Sequence, residues 1–128
     1  MASEFFTDTA STVLSKSLDA SAARQKAIAN NIANVETPGY KRSYVSFEDE
    51  LKRVLDQNPG HEMRSELQNL VPVTQTDITS PSRPDGNNVN IDAEISDLAK
   101  TSLQYRASQV LIEDKIGMLR AAITEGKQ

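Results

Sequence analysis

The hydrophobic positions near the start of the chain follow a helical period. From Leu14 onward, one stripe of residues alternates spacings of four and three, which places their side chains on one face of a helix. The stripe contains five apolar and two polar residues: Leu14, Leu18, Ser21, Gln25, Ile28, Ile32 and Val35. With Asp8 or Ser11 as the N-cap, this pattern predicts a helix of about 25 residues.

A proline and a glycine stop this first helix. Pro38 lacks a backbone donor and biases the residue before it away from helical angles, whereas Gly39 tolerates a positive φ. The helix is therefore expected to end near Asn34 or Val35. Three asparagines stand just before the stop, and their amides bond to free backbone groups or to a neighbouring chain. On spacing alone, the segment is an ordinary helix terminus followed by a turn.

The last third of the chain repeats the pattern more strongly. Its seam again alternates spacings of four and three: Ile91, Ile95, Leu98, Ser102, Tyr105, Gln109, Ile112, Ile116, Leu119 and Ile123. Such a seam predicts a long helix of coiled-coil type, about 30 residues in length. Ser102 and Gln109 either fix the register of the seam or lie at its edge in water. Gly117 either permits close backbone approach or has no role.

A second apolar row widens the face of this last helix: Ala99, Leu103, Ala107, Val110, Leu111, Met118 and Ala122. One antiparallel partner cannot cover both rows. We expect the first helix to cover one row and other subunits to cover the other, although a compact bundle also satisfies the pattern. The expected contact surface joins two sets of residues: Leu14, Leu18, Ile28, Ile32 and Val35 with Ile95, Leu98, Tyr105, Ile112, Ile116 and Leu119.

The segment between these helices is different in character. Residues 46–55 predict a short helix capped by Ser46, with Glu48 paired to Lys52. Residues 56–90 hold four of the five prolines and show no helical period, and within them residues 70–78 are expected to be extended.

Turn residues precede the last helix. Asp85 and Gly86 predict a tight turn, and Asn90 or Asp92 is the expected cap of the helix that follows.

These patterns predict a mainly α fold. Long N- and C-terminal helices pair as an antiparallel coiled-coil-like bundle, with a short helix and a largely irregular, partly extended middle region. We expect a single unit over residues 1–128, divided into a helix and turn (1–40), a flexible middle (41–90) and a C-terminal helix (91–128). Hydrophobic residues are only 38% of the chain and aromatic residues 5%, so a lone copy has a thin core.

Charge and composition exclude several functions. The net charge is -4 and the 14 Lys and Arg residues form no basic stripe, which argues against a nucleic-acid partner. The absence of cysteine excludes disulfides and thiolate metal sites. The first eight residues carry an acid and no apolar run follows them, so no secretory signal is expected. On the residues alone, these features indicate the cytoplasm.

No catalytic or metal-binding set is evident. His61 is the only histidine and is expected to be solvated in a polar loop. The acidic run at residues 48–50 is balanced by neighbouring bases, and residues 85–88 lack the distal glutamate of a calcium loop. We therefore expect no enzyme activity, no cofactor, no metal and no small-molecule substrate.

One ordered motif is more specific than the patterns around it. Its residues are Asn30, Asn31, Ile32, Asn34, Thr37, Pro38, Gly39 and Tyr40. They resemble the N-terminal signature of bacterial flagellar rod and hook proteins. The short chain and residues 85–89 resemble the proximal-rod members of that family. Two sister proteins of the proximal rod are similar enough to be confused with each other.

This resemblance implies a structural subunit of the flagellar basal body, needed for motility. It implies self- and hetero-assembly through the terminal helices into the proximal rod, on the periplasmic side of the inner membrane. The implied partners are other copies of the chain, the rod proteins FlgC, FlgF and FlgG, the adaptor FliE and the flagellar export gate. It also implies export by the flagellar type III system without a cleaved signal peptide. A second hypothesis is a soluble helical adaptor or type III export chaperone that binds one partner through its apolar seam.

Overall fold

A computed structural model of the chain describes residues 8–57 and 60–126, with nothing described of the His61 side chain. The N-terminal residues considered for a secretory signal lie, up to residue 7, outside the described residues. Six elements follow in order: α1 (Thr9–Ala33), β1 (Ser43–Ser46), α2 (Glu48–Leu55), α3 (His61–Asn69), β2 (Val73–Thr76) and α4 (Ile91–Glu125). The mainly α fold class with two long terminal helices is confirmed.

The helix α1 begins and ends, and α4 begins, where the sequence predicted, whereas α4 has 35 residues and not about 30. The Asp8 carboxylate caps α1 by accepting a hydrogen bond from the Ser11 backbone N–H at 2.8 Å. Asn90 caps α4 by accepting from the Ala93 N–H at 3.2 Å, and Asn34 is the C-cap of α1. None of the helices in the described ranges has a stretch apolar enough to span a bilayer.

Polar contacts near both ends show that α1 and α4 pack antiparallel. Lys115 donates to Asp8 at the start of α1, and Asn31 near its end donates to Glu94 at 3.1 Å. These helices form the most extensive contact between elements in the described chain. The predicted antiparallel pairing is therefore present within one chain.

The buried face of α4 differs from the predicted seam at every second position. Asp97, Ser102 and Ile116 are half-buried at the flanks of this face, and the last two belong to the predicted seam. The main row of buried and half-buried residues alternates spacings of four and three: Glu94, Leu98, Thr101, Tyr105, Ser108, Ile112, Lys115 and Leu119. Four of these belong to the predicted seam, but Ile91 and Ile95 are 41% and 55% exposed. Ile95 therefore lies outside the contact with α1 that the sequence predicted for it. Glu94 is fully buried instead, because its carboxylate binds side chains from α1 and from the segment before β1.

The other side of α1 is covered by the middle of the chain. One hydrophobic cluster joins α1 to α2 and α3: Ala20, Phe47, Val54, Met63, Leu67 and Leu70, with Val13 and Leu51 packed against it. The prediction that no helix forms in residues 56–90 was wrong at α3. Among the side chains of that helix that the structure describes, only Met63 and Leu67 are buried. Two buried positions are too few to show a helical period in the sequence, and the helix is stabilised by tertiary packing. His61 begins this helix and does not lie in a loop.

A two-stranded antiparallel sheet accompanies these short helices. β1 pairs with β2 in a register that places Ser43 opposite Thr76 and Ser46 opposite Val73. The prediction of extended structure within residues 70–78 is thereby confirmed at β2, whereas β1 was not predicted.

The start of α2 differs from the prediction. Phe47 occupies the N-cap position without a side-chain capping bond, so Ser46 is not the cap. Phe47 is only 3% exposed because it belongs to the hydrophobic cluster. Glu48 pairs with Arg24 of α1 and not with Lys52.

We expect Leu67→Ala to destabilise the fold by about 2–5 kcal/mol, because Leu67 is fully buried in the hydrophobic cluster and the truncation leaves a cavity. Leu55→Ala is the matched control on α2, where the leucine is 39% exposed, and we expect it to cost about 0.5 kcal/mol or less. Urea unfolding followed by circular dichroism measures both. Equal costs for the two variants would contradict the position assigned to the core.

Candidate functional site

The motif residues after α1 form a tight turn. The Tyr40 N–H donates to the Thr37 carbonyl at 3.2 Å, which places Pro38 and Gly39 at the two central positions. Gly39 has a φ of 73°, and a turn with proline followed by a positive-φ residue requires glycine at the second position. The sequence Thr-Pro-Gly-Tyr therefore reverses the chain directly after α1.

Asn87 closes the end of α1 from the opposite side. Its side-chain amide donates to the backbone carbonyls of Asn34 at 2.9 Å, Val35 at 3.1 Å and Thr37 at 2.9 Å. Asn87 is fully buried, and Arg83 donates to the Val35 carbonyl as well. The segment that precedes α4 therefore supplies further donors to the carbonyls at and after the end of α1, of which those of Asn34 and Thr37 also accept from backbone N–H groups of the turn.

The turn at Gly86 packs directly on the turn at Gly39. The Gly39 N–H donates to the Asp85 carbonyl at 2.8 Å, and the Asn88 N–H donates to the Tyr40 carbonyl at 3.3 Å. Gly86 has a φ of 87°, and a Cβ there would lie 3.3 Å from the Gly39 Cα. Both positions therefore favour glycine because of their positive φ, and Gly86 is also required by the close approach of the Gly39 backbone.

The three motif asparagines have different environments. The Asn31 amide bonds to both backbone groups of Ser43 at 2.8 Å, so the start of β1 is held against α1. Asn31 also accepts from the Tyr40 hydroxyl at 3.1 Å. The Asn34 amide donates to the Asn30 carbonyl at 2.8 Å, whereas Asn30 itself is exposed.

An ion pair between the half-buried Arg42 and the fully buried Glu94 joins this region to the start of α4. The Arg42 guanidinium donates to Glu94 at 2.8 Å and to Asp77 at 3.3 Å, and Asn31 donates to the second oxygen of Glu94. Burial lowers the pKa of Arg42, but the hydrogen bond and charge of Glu94, followed by those of Asp77, outweigh it and the pKa is raised. The cation is therefore held in its charged form between two carboxylates.

Asn88 completes the connection between the sheet and α4. Its side chain accepts from the Arg42 N–H at 2.7 Å and donates to the Asp77 carbonyl at 2.8 Å. In the described ranges, every buried side-chain nitrogen and oxygen has a hydrogen-bond partner. We call this network, together with the neighbouring Asn87, the polar clasp and define it by six residues: Asn31, Arg42, Asp77, Asn87, Asn88 and Glu94.

Asp77 also organises the loop that follows β2. Its carboxylate accepts from the Ser80 hydroxyl and N–H, at 2.5 and 3.0 Å, and from the Thr79 N–H at 2.9 Å. These hydrogen bonds hold the pKa of Asp77 well below its ordinary value, with the Ser80 hydroxyl contributing most. At the far end of α1, the Lys115 hydrogen bond followed by those of Ser11 lowers the pKa of Asp8 to about 2.

The polar clasp includes only one residue of the predicted motif set, Asn31. Sequence reasoning missed Arg42, Asp77 and Glu94, although Glu94 lies in the first turn of a helix, where an acid is favourable. The remaining motif residues form the turn and the end of α1. In the described ranges, no cluster of acidic and histidine residues is arranged to hold a metal.

The interface residues predicted on α1, and Val35 just after it, are at least half-buried. Ile28 is buried, and Leu14, Leu18, Ile32 and Val35 are half-buried. On α4, several large apolar side chains remain uncovered: Ile95 (55%), Leu103 (69%), Val110 (53%), Leu111 (54%) and Met118 (64%). Most of them belong to the second row, which α1 does not cover. The role of both sets in assembly stays a prediction.

Comparison with known proteins identifies the class to which this arrangement belongs. The family described as "Flagella basal body rod protein" matches residues 13–41, which cover most of α1 and the turn after it. The matched segment therefore ends at the Thr-Pro-Gly-Tyr turn held by the polar clasp and its neighbours.

Relatives along most of the chain identify the kind of rod protein. FlgB of Bacillus subtilis (strain 168) is 32% identical over 114 residues, 81% of this chain and 84% of the relative. FlgB of Borrelia hermsii is 36% identical over 102 residues, 69% and 76% of the two chains. FlgB of Escherichia coli (strain K12) is 34% identical over 120 residues, 81% and 86%. The chain belongs to the FlgB family and is a component of the flagellar basal body rod.

We expect Asn87→Ala to destabilise the fold by about 1–3 kcal/mol, because three backbone carbonyls at the end of α1 lose their buried donor. Asn30→Ala is the control within the same motif, and because Asn30 is exposed on a helix we expect it to be neutral or slightly stabilising. Thermal and urea unfolding report both changes. A neutral Asn87→Ala would show that the contact contributes nothing to stability.

Acid is expected to weaken the fold through Asp77. Because its folded pKa is lowered, its stabilising contribution is complete above the unfolded value of 3.8 and is lost as the pH falls toward the folded pKa. Stability measured by urea unfolding between about pH 5 and pH 2.5 should therefore fall less steeply for Asp77→Asn than for the parent chain. Asp49→Asn, at an exposed position on α2, serves as control and should retain the parent slope.

Proposed function

We propose that the chain is a structural subunit of the proximal rod, which assembles by lateral packing of its terminal helices with those of neighbouring subunits. The observation that supports this most directly is the uncovered apolar row on α4. Leu103 and Val110 are 69% and 53% exposed on a 35-residue helix whose other side is already packed on α1. Burial of apolar side chains of this size stabilises by about 1.5–3 kcal/mol each.

The assembly is proposed to be open and not closed. Contacts between different surfaces of identical chains give a helical filament whenever the rotation between copies does not close into a ring. The α4 row is one such surface, and α1 presents a different, polar and small-residue face to solvent. Repetition of one such contact builds a tube suited to transmit rotation, and motility depends on it.

The proposed partners follow from the family. They are other copies of this chain, the rod proteins FlgC, FlgF and FlgG, the adaptor FliE and the flagellar export gate. The proposed location is the rod on the periplasmic side of the inner membrane, reached through the flagellar type III system without a cleaved signal. Assembly then supplies the part of the core that a lone chain lacks. The export-chaperone hypothesis is not favoured, since the relatives are rod proteins.

We expect Leu103→Asp to abolish swimming while the purified protein keeps its helical content, because the change places a charge in the proposed interface without touching the α1 contact. Ile78→Asp is the matched control, since Ile78 is 82% exposed but lies after β2 and away from α4. Swimming in soft agar and electron microscopy of isolated basal bodies measure the outcome. Complete rods and normal swimming with Leu103→Asp would contradict the proposed interface.

A further inference from the structure

The solvent-facing side of α4 has a heptad pattern of its own. Its residues alternate spacings of four and three and all are exposed: Ala99, Leu103, Arg106, Val110, Glu113, Gly117 and Arg120. We call this the outer α4 face. Leucine, valine and glycine occupy one heptad position, and Ala99 followed by three charged residues of alternating sign occupies the other. Glycine inside a helix lowers its stability relative to alanine. Gly117 nevertheless has open space where a Cβ would point, so nothing within the described chain requires glycine there.

The solvent-facing side of α1 has the same spacing with smaller residues. Its members are also exposed: Ser15, Asp19, Ala22, Lys26, Ala29 and Ala33. We call this the outer α1 face. Asp19 and Lys26 are one heptad apart and form no ion pair within the described residues. Each outer face thus carries the 3,4 spacing of a helix that packs on another helix.

We propose that the outer α1 face of one copy packs antiparallel on the outer α4 face of the next copy, with Lys26 opposite Glu113 and Asp19 opposite Arg120. This inference rests on the proposed function. Copies in one rod share a direction along its axis, and α1 and α4 run in opposite directions within each copy, so contacts between these helices are antiparallel.

The charges select one register among the possible ones. In the proposed register both pairs are attractive. A shift of one heptad brings Asp19 opposite Glu113 and Lys26 opposite Arg106, so that both pairs repel. Electrostatic complementarity of this kind fixes register and rejects the neighbouring alternative. Glu113 also accepts a hydrogen bond from Gln109 at 3.3 Å, which leaves its charge in place.

The sizes of the side chains agree with the same register. Ala22 comes opposite Gly117, where two small residues let the helix backbones approach closely. Ala29 comes opposite Val110, so a larger apolar side chain meets a small one. The conformational cost of Gly117 in the helix interior is thereby offset by the contact that it permits.

The proposed pairs are too far apart to form within one chain. Asp8 lies level with Lys115, and Asn31 lies level with Glu94. Lys26 is therefore level with the segment of α4 near residue 98, about 15 residues or ~22 Å along the axis from Glu113. A contact between Lys26 and Glu113 therefore requires two copies, one displaced from the other by about that distance along the helix axis.

A charge exchange tests the register in cells that carry only the variant gene. We expect Lys26→Glu and Glu113→Lys each to abolish swimming and rod assembly, because each places like charges opposite one another. The double variant restores attraction between copies, and we expect it to recover swimming. Arg64→Glu, an exposed charge reversal on α3, is the control and should swim normally. Circular dichroism of each purified variant checks that the helices remain folded.

Cross-linking supplies a second measurement, since the chain has no cysteine of its own. Chains carrying Ala29→Cys and chains carrying Val110→Cys are expressed together, and mild oxidation should join them into disulfide dimers in isolated basal bodies. Replacing Val110→Cys with Leu103→Cys shifts the pair by one heptad and should give no dimer.

The outcomes separate this inference from the function on which it rests. Normal swimming by both single charge variants, failure of the double variant to recover, or dimers only with Leu103→Cys overturns the register, while the chain is still found in the rod. Basal bodies that assemble fully without this chain would overturn the proposed function itself.

Discussion

The pairing of the buried Glu94 carboxylate with Arg42 and Asn31 is the interaction on which the remaining geometry depends. A fully buried charge is costly unless it is paired and hydrogen-bonded, and Glu94 meets both conditions through Arg42 and Asn31. These partners come from the end of α1 and from the segment before β1, so the requirement brings distant parts of the chain to one point. It also determines the rotation of α4 about its axis. With Glu94 turned inward, Ile95 turns outward.

The helix α1 is covered on two sides. One side packs on α4, and the other supports Phe47, Val54 and Leu67 from the middle of the chain. The short elements therefore complete a core that α1 alone anchors, while the far side of α4 receives no cover from its own chain. An uneven distribution of this kind is typical of a subunit whose remaining apolar surface is buried on association.

The long helices were predictable because their signals are local and repeated. Asp8, Pro38 and Asn90 mark three of their four boundaries through capping and turn chemistry that needs no tertiary information. The rotation of α4 was not predictable, because it depends on a contact between residues 52 positions apart, Arg42 and Glu94. The helix α3 was not predictable either, because its few buried residues are buried only through packing in the hydrophobic cluster. The polar clasp was missed for this reason, although the adjoining motif was recognised.

The strand β2 presents its four residues to solvent, and none of them is charged. An open strand edge without charge invites pairing with foreign strands and hence fibril growth. Pro72 lies directly before Val73 and cannot donate a backbone hydrogen bond. A strand added to this edge would therefore lack a backbone hydrogen bond at that end. Four pairable residues are too few to hold an isolated strand. The exposed edge of β2 is therefore a poor template for the addition of another strand.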